Sequence, residues 1–238
     1  MSRLAIIPAR AGSKRIPDKN IRDFFGRPII AYSLDAARDS GLFSEIHVST
    51  DSPRIRETVE SLGYPVAFLR PAALADDKTP LRDVLRYVRD RYAESGRHFD
   101  SICRLSACAP LIDGADIVAA ERLFAAHGGS HAVTAVTRFP APIDRAFALD
   151  GSGHLTPVKA DRQFARSQDL DMSYYDSGTF ALLAPRHLDL EGAAFYQDRL
   201  GFVLPRDKGI DIDELEDWTL AELIFAGRQS LGSTNSAG

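Results

Sequence analysis

The segment LAIIPARAGSKRIPDKN, residues 4–20, joins a short apolar run to a loop rich in basic side chains. Residues 4–7 are uninterrupted aliphatic residues, a pattern that is typical of a strand covered on both faces of a sheet. Pro8 ends the run, and from Pro28 onward apolar residues recur at helical spacing, with proline suited to the first helical turn. The segment therefore predicts a strand, a long loop and a helix, in that order.

The same alternation continues along the first half of the chain. Further strands are predicted at residues 45–49, 66–69, 101–105 and 131–136. Further helices are predicted to begin near Ser52, Thr79 and Asp113. Such alternation favours right-handed crossovers and a mostly parallel α/β sheet flanked by helices. Because ligands of these sheets bind beyond the carboxyl ends of the strands, we expect one crevice to be formed by the loops that start at Pro8, Thr50, Leu69 and Ser106.

Residues 138–168 interrupt this pattern with prolines and with short strand-like pieces around a Gly-Ser-Gly turn. We interpret them as a small inserted β-ribbon, which is either a dimerisation arm that exposes Phe147 and Leu149 or a hairpin packed on its own domain. The core is expected to resume at 179–183 and 202–204, and a last helix to cover 215–225. One domain is thus predicted over residues 1–228, followed by a disordered tail at 229–238.

Composition excludes several classes of protein. The 238 residues carry a net charge of −4, with 45% hydrophobic and 26% charged residues, which is typical of a globular chain and not of a disordered or collagen-like one. A pI near 5.9 argues against general nucleic-acid binding. No apolar run approaches the ~20 residues that span a bilayer, and the two cysteines have neither zinc nor redox spacing. A cytoplasmic protein is therefore expected, with no membrane partner.

The acidic chain nevertheless carries a basic loop. Five basic residues fall within positions 10–22, namely Arg10, Lys14, Arg15, Lys19 and Arg22. At the end of a strand, backbone amides near Gly12 and Ser13 together with these cations would suit a polyphosphate. The loop has neither the Walker A spacing nor the Gly-x-Gly-x-x-Gly fingerprint. That the cations only solvate a long loop remains an alternative at this point.

The loop resembles the signature of the cytidylyltransferases that activate nonulosonic acids, the CMP-sialic acid synthetase group. The matching residues are Ala9, Arg10, Ser13, Lys14, Lys19 and Asn20. Further matches lie at residues 48–51, 69–72, 74–77 and 210–213. Residues 166–170 and 174–178 resemble the pseudaminic acid branch, although Thr179 and Ala181 depart from its pattern.

The resemblance implies a Rossmann-like nucleotidyltransferase fold and a homodimer. It also implies a reaction in which CTP and a nonulosonic acid, pseudaminic acid first, give a CMP-sugar and pyrophosphate. A sialic, legionaminic or 3-deoxy-octulosonic acid is the alternative substrate. From a different class, a nucleotide-binding module without turnover stays open.

The resemblance also assigns roles to residues of the nucleotide site. Arg10, Lys14 and Lys19 would contact the triphosphate, aided by the loop residues Ala9, Gly12 and Ser13. Asn20 and Arg70 would hold the cytosine, because their donors suit pyrimidine acceptors; for Arg70 a salt bridge with Asp76 or Asp77 is the alternative. Asp77 belongs to the matched segment at residues 74–77, and Ser106 follows a predicted strand at a position where the family often has a polar residue that reads the substrate.

Asp211 and Asp213 alternate on a segment predicted to be extended, so that both would point to one face. Two close carboxylates repel each other unless a cation compensates, and Mg²⁺ shared with phosphate oxygens would do so. The resemblance implies that both residues are Mg²⁺ ligands, and Asp211 is also assigned to catalysis. Asp213 would alternatively cap the helix that starts near Glu214.

The sugar would be bound by residues of the second half. Its carboxylate needs a cation, for which Lys159 and Arg166 are the candidates by position. Gln168, Tyr174 and Asp176 could read hydroxyl or acylamino groups. Each of these five residues could instead contact a second subunit through the arm.

Overall fold

A computed structural model describes residues 1–235, apart from the side chains of residues 167 and 232–235. The strands are β1 (Arg3–Pro8), β2 (Asp23–Phe24), β3 (Arg27–Pro28), β4 (Glu45–Ser49), β5 (Ser101–Leu105), β6 (Ala132–Arg138), β7 (Phe147–Leu149), β8 (Leu155–Pro157), β9 (Tyr174–Leu183) and β10 (Arg199–Val203). The α-helices are α1 (Ile30–Asp39), α2 (Pro53–Ser61), α3 (Leu81–Glu94), α4 (Gly114–Ala126) and α5 (Leu215–Asn235).

Six strands form the central sheet in the order β10-β6-β9-β5-β1-β4. Strands β4, β1 and β5 are parallel, as are β6 and β10, whereas β9 runs antiparallel between β5 and β6. The mostly parallel α/β sheet is thus confirmed. The reversed β9 brings its amino end to the edge at which the other strands have their carboxyl ends.

The core lies on both faces of this sheet, as the apolar run at residues 4–7 predicts. Ala5 and Ile7 join the larger apolar cluster with helices α1, α2, α4 and α5, while Leu4 and Ile6 face α3. All four side chains are fully buried. Removal of this apolar surface from water is the main force that holds the layers together.

Residues 66–69 form no strand, so that prediction is wrong. Val66 is buried, but Pro65 has no amide hydrogen to donate to a ladder, and the segment joins the end of β4 through the Arg70 amide, which donates to the Thr50 carbonyl (2.7 Å). The sheet therefore ends at β4.

Two helix boundaries also differ from expectation. Pro28 lies in the short strand β3 and the helix begins at Ile30, because β3 pairs with β2 in a small hairpin. At the other end, α5 continues past residue 225 to Asn235, so that residues 229–235 are helical and not disordered. Residues 236–238 of the predicted tail lie outside the described chain.

Within residues 138–168, β7 and β8 pair antiparallel as a separate two-stranded ribbon. Several of its apolar side chains face solvent, among them Phe147, Leu149 and Leu155 with 46%, 69% and 60% exposure. In the described part of the chain, no helix has the length and apolarity needed to cross a membrane.

Candidate active site

The loops at the carboxyl edge of the sheet enclose a cavity of about 550 Å³. Arg10 after β1, Arg70 beside β4 and Ser106 after β5 all line it, as the predicted crevice requires. Gly178 near the start of β9 and Asp213 ahead of α5 close the remaining sides. The cavity therefore joins the first half of the chain to its last third.

The basic loop lines one wall and is held by its backbone. The buried Ala9 donates its amide to the Ser49 carbonyl (2.9 Å), and the Ala11 amide donates to Asp51 Oδ1 (3.0 Å). Gly12 takes φ +78°, a conformation that favours glycine. Ser13 lies in the wall as well. These contacts fix the path of the loop beside the cavity.

Arg10 and Lys14 both bind the carboxylate of Asp77 (2.5 Å each). The ammonium of Lys14, and then the guanidinium of Arg10, lower the pKa of Asp77 below its ordinary value. Asp77 therefore pairs with two of the cations proposed to contact the triphosphate. Its carboxylate has no hydrogen to donate, so Asp77 cannot itself bind phosphate oxygens.

Lys19 and Arg15 form a second such pair around Asp213. The Lys19 ammonium donates to the Ile212 carbonyl (2.6 Å) and to Asp213 Oδ1 (3.1 Å), and Arg15 binds Asp213 Oδ2 (2.8 Å). Partial burial would raise the pKa of Asp213, but Lys19 and Arg15 hold it below its ordinary value. The basic loop and the segment before α5 are joined by these contacts.

Asn20 lines the cavity and also braces the loop. Its Nδ2 donates to the Arg10 carbonyl (2.9 Å), and the thiol of Cys108 donates to its Oδ1 (3.5 Å).

Arg70 is buried, with Nε donating to Ser49 Oγ (3.2 Å) and Nη2 to the Ser49 carbonyl (2.5 Å). Burial lowers its pKa. Within the described chain Arg70 forms no ion pair with Asp76 or Asp77, so the salt-bridge alternative is wrong.

Asp211 and Asp213 lie on a segment without strand structure. Asp213 does not cap α5; instead, Asp217 Oδ2 accepts from the amides of Asp213 (2.9 Å) and Glu214 (2.8 Å). The carboxylate of Asp211 packs against Gly178, where a Cβ would overlap it. Within residues 1–235, it forms no hydrogen bond or ion pair.

Loss of water around Asp211, followed by the charge of Asp213, raises the pKa of the Asp211 carboxyl. A hard cation would relieve both effects, so the donor set fits Mg²⁺. Three or more clustered metal-binding side chains are absent from the part of the chain that the structure describes. Phosphate oxygens and water would therefore complete the coordination shell, as is usual for Mg²⁺.

Arg104 of β5 lines the same cavity and is absent from the sequence-based assignments. Its Nη1 donates to the Gly178 carbonyl (2.7 Å). Arg104 and Ser106 are two residues apart and both face the cavity, while Leu105 between them is fully buried. Because side chains alternate along a strand, the assignment of Ser106 to the site could have predicted that Arg104 lies there too. Ser106 Oγ accepts from the Cys108 amide (3.3 Å).

The five residues proposed for the sugar are not brought together here. Lys159 binds the buried Asp144 (3.2 Å) beside a second cavity next to the ribbon. Arg166, Gln168 and Tyr174 are exposed and outside the wall of the first cavity. Asp176 comes closest, because its Oδ1 accepts from the Gly178 amide (2.9 Å).

The sequence of this chain also resembles the sequences of known proteins. A family model described as Cytidylyltransferase matches residues 4–138. The pseudaminic acid cytidylyltransferase of Campylobacter jejuni is 35% identical over 225 residues, covering 94% of this chain and 97% of that protein. The CMP-N,N'-diacetyllegionaminic acid synthase of Legionella pneumophila is 31% identical over 227 residues, covering 93% and 95%.

A solved structure, that of CMP:2-keto-3-deoxy-manno-octonic acid synthetase complexed with CTP, has the same fold. Its TM-score is 0.73 at 16% sequence identity, and the match covers 96% of this chain and all of that one.

Proposed function

Because the chain belongs to the cytidylyltransferase family, we propose that it transfers CMP from CTP to a nonulosonic acid, pseudaminic acid first, and releases pyrophosphate. The cavity supports this proposal most directly. Four cationic side chains of one loop line it together with Asp213, and Asp211 packs against Gly178, which also lines it. The relatives from Campylobacter and Legionella carry names that describe this class of sugar.

In this reaction, the anomeric hydroxyl of the sugar attacks the α-phosphorus in line. A new O–P bond forms, the bond from the α-phosphorus to the bridging oxygen breaks, and the hydroxyl proton leaves to water. No covalent enzyme intermediate is needed, so positioning and charge neutralisation carry the catalysis. Arg10, Lys14 and Lys19 would stabilise the leaving pyrophosphate.

Binding of CTP would exchange partners within the site. Arg10 and Lys14 would release Asp77 in favour of phosphate oxygens, and Lys19 would turn from Asp213 to the same ligand. Asn20 and Arg70, both held by backbone contacts, would read the cytosine. Their rigidity supports recognition of one base, because the donors are placed before the ligand arrives.

The test measures pyrophosphate release from CTP and Mg²⁺ with a panel of nine-carbon and eight-carbon keto-sugar acids. We expect pseudaminic acid to give the highest kcat/KM. Faster turnover of a sialic, legionaminic or octulosonic acid would identify that acid as the substrate instead, within the same class of sugar. CTP binding without pyrophosphate release from any sugar would instead establish the non-catalytic nucleotide-binding alternative.

We further propose that Mg²⁺ is held by Asp211 and Asp213 together with phosphate oxygens, where it would neutralise charge on the reacting phosphates. The variant Asp211→Asn is expected to lose turnover by about 100-fold, most strongly at low Mg²⁺, because it removes a metal ligand. Initial rates over a Mg²⁺ series, with binding of Mn²⁺ in the presence of CTP, measure this.

Asp171→Asn, in the second cavity, is the matched control and should leave both readouts unchanged. Normal activity and normal Mn²⁺ binding in Asp211→Asn would refute the metal role.

We propose in addition that two copies associate through the ribbon. Its exposed apolar side chains support this, because a surface patch of this kind commonly marks an interface. Sedimentation should give twice the 26.1 kDa of one chain. The double change Leu149→Glu and Leu155→Glu should yield monomers, whereas Leu223→Glu on α5, with a similar exposure of 67%, should not. A monomeric unmodified protein would contradict the proposal.

A further inference from the structure

We propose that Arg104 binds the carboxylate of the sugar acid and so selects 2-keto acids over other sugars. The inference rests on the proposed function and names a residue within its site. The proposed cation thus belongs to the central sheet. The sequence-based candidates for this role are Lys159 and Arg166.

The chemistry of the substrate decides where such a cation must lie. In the ring form of a 2-keto acid, the carboxylate is bonded to the anomeric carbon, which also carries the attacking hydroxyl. The carboxylate is therefore held within a few bonds of the reacting phosphorus. Within one chain, its partner must therefore line the catalytic cavity close to Asp211, which excludes the ribbon of that same chain.

Most cationic side chains of that cavity already have ion-pair or hydrogen-bond partners. Arg10 and Lys14 bind Asp77, and Arg15 and Lys19 bind Asp213. Arg70 is buried and donates to Ser49 and to the Leu74 carbonyl. All of these sit with the loops assigned to the nucleotide.

Among the residues that the structure describes, Arg104 differs from the four cations of the loop because it pairs with no carboxylate. Within the same residues, it differs from Arg70 because only one of its guanidinium nitrogens is hydrogen-bonded, whereas Arg70 donates through three. One guanidinium nitrogen, Nη1, is tethered to the Gly178 carbonyl, and Gly178 in turn packs against the Asp211 carboxylate. The charge of Arg104 also reaches Asp211, whose ionised form it favours. Guanidinium, Gly178 and Asp211 thus form one cluster.

The geometry of the side chain suits a carboxylate. A guanidinium carries five N–H donors in a planar fork that can bind both oxygens of a carboxylate at once. One tethering bond to Gly178 fixes the orientation of this fork and leaves donors for the ligand. Lys159, by contrast, is bound to Asp144, whose side chain is 8% exposed.

The experiment varies the sugar acid and CTP separately in the pyrophosphate assay. Arg104→Met is expected to raise KM for the best sugar of the panel about 10- to 100-fold, the value of a charged hydrogen-bonded pair, and to change KM for CTP less than twofold. Arg104→Lys, which keeps the charge, should recover part of the loss. Arg122→Met, on the exposed surface of α4, is the matched control and should retain the unmodified KM for the sugar.

A second readout separates binding of the carboxylate from a structural role. The unmodified protein should discriminate against an analogue whose carboxylate is a primary amide, and Arg104→Met should lose this discrimination. If Arg104→Met still discriminates, or if KM rises equally for CTP, the inference is overturned while the proposed function stands. If the unmodified protein turns over no sugar acid, the proposed function falls and this inference with it.

Discussion

Asp77 and Asp213 each bind two basic side chains of the loop at residues 8–20. These ion pairs are largely exposed, with 44% and 45% of the two carboxylate side chains accessible to solvent, and exposed pairs stabilise a fold only weakly. A triphosphate, with more charge and more acceptor oxygens, can therefore displace them. The two acids keep the cations of the loop close together without holding them tightly.

Gly178 is the residue on which the geometry of Asp211 depends. Gly178→Ala places a Cβ on the Asp211 carboxylate at φ +64°, a conformation that costs an alanine about 1–2 kcal/mol. We expect turnover to fall about 100-fold, because a displacement near 1 Å suffices for such a loss. Steady-state rates and urea denaturation measure the two effects.

Gly151→Ala is the control, since no atom lies within 4 Å of its Cβ and its φ is not positive. It should preserve activity. Full activity of Gly178→Ala would show that the Asp211 carboxylate need not lie against residue 178.

Among the elements, β9 and the segment between β10 and α5 do most to complete the cavity. The antiparallel β9 brings Gly178 to the edge where β1 and β5 end. The segment after β10 then returns along this edge, with Gly209 packed closely on Thr137 and Ser177. Residues far apart in the chain, Arg104 and Asp211 among them, meet for this reason.

Lys208 fastens that segment to α4. Its ammonium, with only 13% of the side chain exposed, binds Asp113 and Asp116, the two residues of the capping box of α4 (2.6 Å each). Lys208→Met should lower the free energy of unfolding by about 1–3 kcal/mol, because the Asp116 carboxylate, whose side chain is 12% exposed, loses its ion-pair partner. It should also raise the Mg²⁺ concentration needed for half-maximal turnover.

Urea denaturation and a Mg²⁺ series check this, with Lys78→Met on the exposed surface as the control. Unchanged stability in Lys208→Met would mean that the two carboxylates find other partners.

For the whole molecule, buried His47 links stability to pH. Burial, and then the charge of Arg70, lower the pKa of His47 to about 4, and its ring lies against Phe68 and Tyr92. The unfolded chain, with an ordinary histidine pKa near 6.5, binds the proton first. Above pH 6.5 His47 is neutral in both states and does not lower the free energy of unfolding. As the pH falls from 6.5 toward 4, this free energy decreases by about 3 kcal/mol in total.

His47→Gln should remove this part of the pH dependence, whereas the exposed His98→Gln should not. The comparison of unfolding free energies at pH 7 and pH 4.5 isolates it, since the carboxylates titrate in all three proteins. Equal slopes for the unmodified protein and His47→Gln would contradict the prediction.

Sequence reasoning located strands well where side-chain pattern and burial coincide. Strands β4 (EIHVS) and β5 (SICRL) begin and end at the predicted residues, because each is a short stretch with buried aliphatic side chains between polar loops. The strand predicted at residues 66–69 is absent, although all four residues are apolar, because this stretch has no partner strand in the described chain. An apolar run in the sequence predicts that the segment is buried. Whether it pairs as a strand depends on which edge of the sheet is free.

The amino-acid sequence by itself determined the α/β class, the basic loop after β1 and the motif that indicates the family. These are local properties: hydrophobic period, turn residues and charge spacing act within a few residues of one another. Only the tertiary structure decided that Asp211 rests on Gly178, that Asp77 and Asp213 hold the loop cations, and that Arg104 lines the cavity without a carboxylate partner among the described residues. Apart from the contact between Asp211 and Gly178, these contacts join residues more than 60 positions apart, and the reversal of β9 that creates several of them leaves no periodic signal in the chain.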